Sequence, residues 1–516
     1  MRTTHSSRTT SEAGQAIVLI ALGFVVLLAF TGIVVDVARV FTQRGELRRA
    51  VDAAGLAATG QFRTGAGGRQ IHDAAVNIIR AHGISDPNVV IETCGSMDGF
   101  TTHNPALCPP EGRPARKLVF VKATAEVPML FLQLIGIPNV AVAGEGTAEA
   151  ASVDVVLLLD TSESQAYDAP SGLAFTGDPS KGCKPADVGY QNVSACAKAC
   201  NDSPDHPCFP LQKMKDAAKA FVDQMYGGYD RVAIVSYERD HRSDYPLGTD
   251  LAAAKLAVDG LRAFDNGDGT PCTYLDTETW KCGSSNPGGA LKRAAYELSG
   301  NPSNIREDSL WVAVFLSSGG MNATDPIVSS DPDSGTWGVC PAKVPGNPDS
   351  KNNPPPCRDQ QWSVHHLAPT ETTTSYWYDA EDFAFDNATY LGKRPADESN
   401  PDGLSVLIYT IALGQKAVCT TGATYSPGPP VTCADANAFY VDIDSGLPNT
   451  GELFLRYTAD IGDNGQLDPP GSPVPNPCYS SLSGMQCGNY YFAPDGNDLQ
   501  RIFLEIAGRI FTRLAG

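Results

Sequence analysis

Positive charge is scarce in this sequence. Its 516 residues carry 38 Lys and Arg against 58 Asp and Glu, a formal net charge of −20. A surface that acidic repels phosphate and excludes nucleic acid as a partner. It suits cation binding, but it is also what an ordinary solvated surface looks like. Charge of either sign is sparse at 19%, while hydrophobic residues reach 42%, which excludes a disordered chain. No dinucleotide fingerprint follows any strand-like run. The glycines at 65, 67 and 68 (Gly65, Gly67, Gly68) follow no strand and lack the Lys-Ser/Thr ending of a phosphate loop, so they read as a loop.

Charge is missing altogether from residues 16–35, AIVLIALGFVVLLAFTGIVV. About 20 residues at about 1.5 Å each span roughly 30 Å, the hydrocarbon thickness of a bilayer. A buried core helix would show a polar face, and none is present. A cleaved signal peptide would have a shorter apolar core and a small-x-small site behind it. Instead DVARVFTQRGELRRAVDAAGLAA continues as a helix with an apolar stripe, which favours a retained anchor after a short cytoplasmic N-terminus at 1–15. Arg39, Arg44, Arg48 and Arg49 follow the span, against Arg2 and Arg8 before it. Charge counting alone therefore leaves the bulk of the chain inside the cell.

The cysteines argue the other way. There are 14, and Cys94/Cys108, Cys272/Cys282, Cys340/Cys357, Cys419/Cys433 and Cys478/Cys487 sit close together in loop-rich stretches. Loop-stapling disulfides need an oxidising compartment. Long domains cross a membrane regardless of flanking charge, so the expectation is N-terminus inside and bulk extracytoplasmic, in a single-pass cell-membrane protein. Cys183, Cys196, Cys200 and Cys208 allow three pairings that sequence cannot separate. With His206 they also make a zinc reading, but the spacing is irregular and disulfides are preferred.

The segment 36–150 reads as a small α+β region: helix to about 80, then alternating, β-branched runs at NVVIETC and RKLVFVKATAEV. VPMLFLQLIGI is expected to be a helical turn packed on that sheet. The Gly-Gln before the apolar span, the Val-Asp-Val-Ala-Arg exit and the helix RRAVDAAGLAA resemble TadG-like proteins of tight-adherence (Flp) pilus-assembly systems. That resemblance implies a pilin-like membrane helix with a small α+β region at the cell envelope.

From residue 151 onward, buried strands (VDVVLLLD, DRVAIVSY, LWVAVFLSS, LSVLIYTIALG) alternate with helices (from Leu211, in TDLAAAKLAVDGLRAF and in GGALKRAAYEL). The chain ends on a helix with Leu499, Ile502, Phe503, Ile506, Ile510 and Leu514 on one stripe. This is an α/β pattern: a mostly parallel sheet covered on both faces, interrupted by inserts at about 165–207, 320–404 and 415–450. Ligand sites in such sheets lie at the carboxyl ends of strands, where Asp160 falls.

The strand ending in DTSES resembles a von Willebrand factor A (vWA) domain, a Rossmann-like fold, with its metal-ion-dependent adhesion site (MIDAS). The resemblance implies Asp160, Ser162 and Ser164 as ligands of Mg²⁺, with Ser285 in the place of the family's Thr and Ser318 in that of its second Asp. Ser318 supplies no carboxylate, which weakens the attraction for a hard divalent cation. Glu163 or Asp325 would have to compensate. The competing reading is a hydrogen-bonded polar turn. DNGDGT (265–270) and DIGDNGQLD (460–468) lack the distant Glu of a calcium loop and read as turns. His365 and His366 have no evident Ser or Cys partner and read as surface residues. An envelope hydrolase using Asp160 would need a second carboxylate two residues on, where Ser162 stands.

The leading expectation is therefore a non-enzymatic protein acting in pilus assembly or surface adhesion by binding a protein partner, a pilus or envelope component. Its rival is a metal-free structural subunit whose inserts bind partners.

Overall fold

The computed structural model describes residues 12–62, 67–95, 97–109, 116–162, 165, 200–201, 207–238, 240–263, 285–300, 305–306, 309–317, 321, 325, 380–393, 406–413, 417–419, 440–442, 450–465, 488–493 and 496–513. The chain forms two compact units, which meet in sequence at Ala150 and Ala151.

The first unit is built on α1 (Glu12–Thr59), a helix of 48 residues. Its N-terminal part is bare: the large apolar side chains from Ile17 to Phe30 are 59–71% exposed. Its C-terminal part is a core helix, with Leu47, Ala50, Val51, Ala54 and Ala58 buried. α2 (Gly68–Ala81) adds Ile71, Ala75, Val76 and Ile79, one stripe at helical spacing. Against these lie β1 (Asn88–Thr93), β2 (Thr102–His103), β3 (Lys117–Pro128) and β4 (Asn139–Ala150), in the order β2-β1-β3-β4. α1 approaches β4 closely because alternate residues on one face of that strand are small: Gly144, Gly146 and Ala148. A Cβ on Gly146 would come 2.8 Å from Asp52 Oδ1, and one on Gly144 would come 3.2 Å from the Leu47 side chain. Cys94 and Cys108 are disulfide-bonded, as the sequence pairing expects.

The second unit holds a six-stranded sheet of β5 (Ser152–Asp160), β6 (Arg231–Tyr237), β7 (His241–Gly248), β8 (Ser309–Ser317), β9 (Leu407–Leu413) and a later edge strand, Tyr490–Ala493. Two short strands, β10 (Ala417–Cys419) and β11 (Tyr440–Asp442), pair separately, so the edge strand is β12. The order is β12-β9-β8-β5-β6-β7, parallel except for β7. Counted along the chain this is 3-2-1-4-5-6, the doubly wound order. Its switch point lies between β5 and β8.

Every residue of β5 is buried, as a central strand covered on both faces must be. Val156 and Leu158 join the core under α5 (Pro287–Ser299), α6 (Ala380–Lys393) and α7 (Thr450–Asn464). The intervening Val155, Leu157 and Leu159 point to the other face. There α3 (Phe209–Val222) packs with α4 (Leu251–Gly260) and with α8 (Gly496–Arg513), where Phe221 meets Phe503 edge-on at 6.1 Å.

One charge sits inside this apolar strand. Asp154 is fully buried at the amino end of the sheet and accepts from Arg231 Nε (2.9 Å), Arg231 Nη2 (2.5 Å), Ser309 Oγ (2.7 Å) and the Arg306 guanidinium. Burial works against the carboxylate, but the two arginines outweigh it and hold its pKa below the usual range.

Three sequence expectations are corrected. Gly68 is not loop but the first residue of α2, while Gly67 stays outside the helix and caps it, its N–H bonded to Gln70 Oε1 at 3.0 Å; Gly65 lies outside the described residues. Residues 460–464 of the acidic DIGDNGQLD stretch form the last turn of α7 rather than a turn between elements. The block around Leu132–Ile135 is a 3-10 turn, but it is exposed instead of packed on the sheet. The inserts also hold regular structure the sequence reading left out: α6 within 320–404, and β10 and β11 within 415–450.

Candidate functional site

β5 ends at Asp160 because the apolar run stops there, and the chain turns at once. Asp160 is fully buried, and its Oδ1 accepts the Ser162 N–H at 2.9 Å. An Asp bonding its own backbone two residues on is an Asx turn, which holds Ser162 against the strand end. Thr161 is tied to the neighbouring strand: both its N–H (2.9 Å) and its Oγ1 (3.2 Å) donate to the Tyr237 carbonyl.

The next residue of that strand's exit, Glu238, anchors the second loop. Asn286 N–H donates to the Glu238 carbonyl at 2.6 Å. The Asn286 side chain then caps α5, accepting from Gly289 N–H at 2.8 Å. Thr161 and Asn286 are thus held by carbonyls of consecutive residues, Tyr237 and Glu238. This brings the Asp160–Ser162 turn and the buried Ser285 to the same edge of the sheet, at the carboxyl ends of its strands.

Tyr237 is a site residue that sequence reasoning missed. Its hydroxyl donates to the Leu316 carbonyl at 2.7 Å, linking β6 to the end of β8 across β5. Burial and then the nearby Asp160 charge push its phenol well above the ordinary value, so it stays a donor. The available signal was a tyrosine closing a strand whose centre is apolar.

Asp325 also reaches this edge. Its Oδ1 meets Asn286 Nδ2 and His241 Nε2, each at 3.1 Å, and its Oδ2 accepts from Lys292 Nζ at 2.7 Å. Partial burial opposes its charge, but His241 and Lys292 hold the carboxyl well below the usual range. The carboxylate that would compensate for Ser318 is therefore adjacent to the site but engaged by a lysine, an asparagine and a histidine. Glu163, Ser164 and Ser318 lie outside the described residues.

Of the donors expected for Mg²⁺, the described ones are Asp160, Ser162 and Ser285: one carboxylate and two hydroxyls, against the roughly six oxygens that ion prefers. Among the described residues no group of three or more His, Cys, Asp or Glu is placed to hold a metal. These residues do not make a complete cation site. What they make is a rigid, hydrogen-bonded polar edge over the switch point.

The cysteine cluster is settled in one place: Cys200 pairs with Cys208, directly before α3. Cys183, Cys196, Cys272, Cys282, Cys340, Cys357, Cys433, Cys478 and Cys487 lie outside the described residues, as do His206, His365 and His366. Cys419 lies in β10 rather than in a loop.

Residues 14–66 match a family model described as "Putative Flp pilus-assembly TadE/G-like". A comparison with curated proteins finds no match. Among solved structures, the vWF domain of the type V pili tip protein Mfa5 from Porphyromonas gingivalis matches at 13% identity and TM-score 0.34, over 71% of this chain and 97% of that one. The minor pilin PilB of Streptococcus sanguinis matches at 12% and 0.34, over 83% and 79%. Proximal thread matrix protein 1 of the mussel byssus matches at 11% and 0.32, over 69% of this chain and 48% of its own. The chain thus spans about half the length of that mussel protein. Residues 14–66 thus resemble TadE/G-like proteins, and they share the chain with a doubly wound unit.

Proposed function

We propose that this chain is a membrane-anchored, extracytoplasmic protein that acts in pilus assembly or surface adhesion by binding a protein partner. One observation carries the reading. A TadE/G-like segment at residues 14–66 shares the chain with a doubly wound unit whose switch-point edge gathers Asp160, Ser162 and Ser285. The role is binding rather than catalysis. The bare apolar part of α1 supports the anchor: it is one helix long and apolar enough to cross a membrane.

The partner's contact is placed at the carboxyl edge of the sheet. A divalent cation there would supply positive charge to draw an acidic group of the partner. The described residues offer one carboxylate for it, so no step is routed through the metal.

A second reading is favoured by a specific observation. Asp325 is paired to Lys292 and His241 rather than left to a cation, which suits a metal-free scaffold whose inserts bind partners. Calorimetric titration of the detergent-solubilised full chain with Mg²⁺ and Mn²⁺ separates the two. Cation binding lost in Asp160→Ala supports the first. No binding in the natural sequence, with binding gained in Ser318→Asp, supports the scaffold. In-cell crosslinking from this edge should then recover pilus or envelope proteins. Recovery of bulk membrane proteins alone would sink the partner assignment.

A further inference from the structure

The apolar run ends in Val-Asp-Val-Ala-Arg, which puts Asp36 directly after its last apolar residue. Asp36 is fully buried although its helical neighbours Val34, Val35 and Val37 are 38–52% exposed. Its carboxylate accepts three backbone N–H groups from the hairpin tip between β3 and β4: Leu130 (2.8 Å), Phe131 (2.8 Å) and Leu132 (2.7 Å). One turn earlier, Gly32 lies under the Phe131 side chain, where a Cβ would come 2.7 Å from its ring. Asp36 and Gly32 are spaced four apart and share one helix face. Together they dock the tip at the end of the apolar run.

The tip itself, MLFLQLIGIP, contains no charged residue. Met129 N–H closes it on the Pro138 carbonyl at 2.8 Å. Gly136, at φ +93°, ends its 3-10 turn in a conformation that favours glycine. Leu134 is 80% exposed and Ile135 71%, and Leu130, Phe131 and Ile137 are 43–49% exposed. Five large apolar side chains on one tip form a patch that soluble surfaces rarely carry. Polarity resumes at the base, where Asn139 Nδ2 donates to Glu126 Oε2 at 3.0 Å.

We infer that this hairpin tip is a second membrane contact, inserted among the acyl chains just below the headgroups of the leaflet that α1 leaves. The occupant follows from continuity. The tip is fixed to the side of α1 beside Gly32, four residues or about 6 Å before Asp36 along the axis, so it is level with the last turn of the span. At that depth a lone carboxylate and the unpaired N–H groups of a 3-10 turn would each be costly, and their mutual bonding removes both penalties. Asp36 is a positioning residue. With two points of contact, the first unit has a fixed tilt on the bilayer rather than free rotation on a single helix.

The inference rests on the membrane anchor proposed above, and its test separates the two. The full chain is reconstituted in phosphatidylcholine/phosphatidylglycerol vesicles with a photoreactive benzoylphenylalanine at Leu22, at Leu134 or at Val90. Lipid adducts at Leu22 and Leu134 but not at Val90 are expected. Adducts at Leu22 alone would overturn the second contact and leave the anchor standing. Adducts at neither position would remove the anchor itself. Adducts from Leu134 to protein instead of lipid would make the tip a protein-docking surface and overturn the inference. Asp36→Ala should lower the Leu134 lipid yield severalfold and leave Leu22 unchanged. An unchanged Leu134 yield would refute the positioning role.

Discussion

Replacing Asp154 by Asn keeps its size and removes its charge. The carboxylate is fully buried, and both arginines on it are nearly so, their side chains 6% and 10% exposed. After the change two guanidinium groups face each other with no anion between them, and the new amide NH₂ points a donor at donors. Breaking a buried pair by removing one partner costs about 3–5 kcal/mol. That is a large share of the roughly 5–15 kcal/mol that holds a domain folded. Trp311 Nε1 donates to Ser309 Oγ at 3.0 Å, and that hydroxyl donates to Asp154, so indole fluorescence reports on the network directly. Urea unfolding of the detergent-solubilised chain should show the midpoint falling accordingly. Asp223→Asn, which breaks the exposed pair with Lys255, should change stability by no more than about 1 kcal/mol. The pH dependence has a definite sign. The folded pKa of Asp154 is depressed, so its stabilisation is complete above the unfolded value near 4 and is lost as pH falls through the folded value. A loss below about 1 kcal/mol in Asp154→Asn would refute the claim that this network clamps β5, β6 and β8.

Other outcomes follow from other parts of the molecule. Gly144→Val should overpack the contact with Leu47 and Val51 and cost about 1–3 kcal/mol, read as a lower melting temperature of the first unit. Reducing Cys94–Cys108 should release a loop closed over 14 residues, at about 3 kcal/mol, measured by denaturation with and without reductant. Burial lowers the Lys215 amine to about 8 against the opposing pull of Asp259, so acylation near that pH should label it ahead of exposed lysines, by mass spectrometry. Removing Lys292 and His241 together should free Asp325 and raise Mn²⁺ affinity severalfold by calorimetry; an unchanged isotherm would show that Asp325 lies out of reach of any cation at Asp160.

The central strands were legible because a sheet covered on both faces needs uninterrupted apolar runs, and β5, β6, β8 and β9 supply them. β7 was not: His241–Gly248 is polar, contains Pro246 and is only partly buried, so neither alternation nor a run betrays it. Asp160 could be named from its position at a strand end, whereas Ser162 and Ser285 could be named only from the resemblance of their loops to a vWA adhesion site. Asp325 could be named but not placed, because its partners come from β7 and α5 and meet only when the sheet closes. Asp154 held a signal that was passed over. A carboxylate at the second position of VDVVLLLD, inside a strand buried on both faces, must be paired, since an unpaired buried charge is prohibitive. The tip at Leu132–Ile135 was misplaced because apolar sequence alone does not say whether its solvent is a protein core or a lipid.

The two borders of the large sheet bear on how such a protein associates. At one border β7 runs against its neighbour with register shifts at Ile234, and exposes Asp244 and Pro246. At the other, β12 has four residues. A charge, a proline, an irregular ladder and a short strand all discourage pairing with a further strand. Copies of this unit are therefore poor templates for one another along these borders. Contact is left to side chains on loops and helix ends, where specificity is set residue by residue instead of by the backbone all chains share.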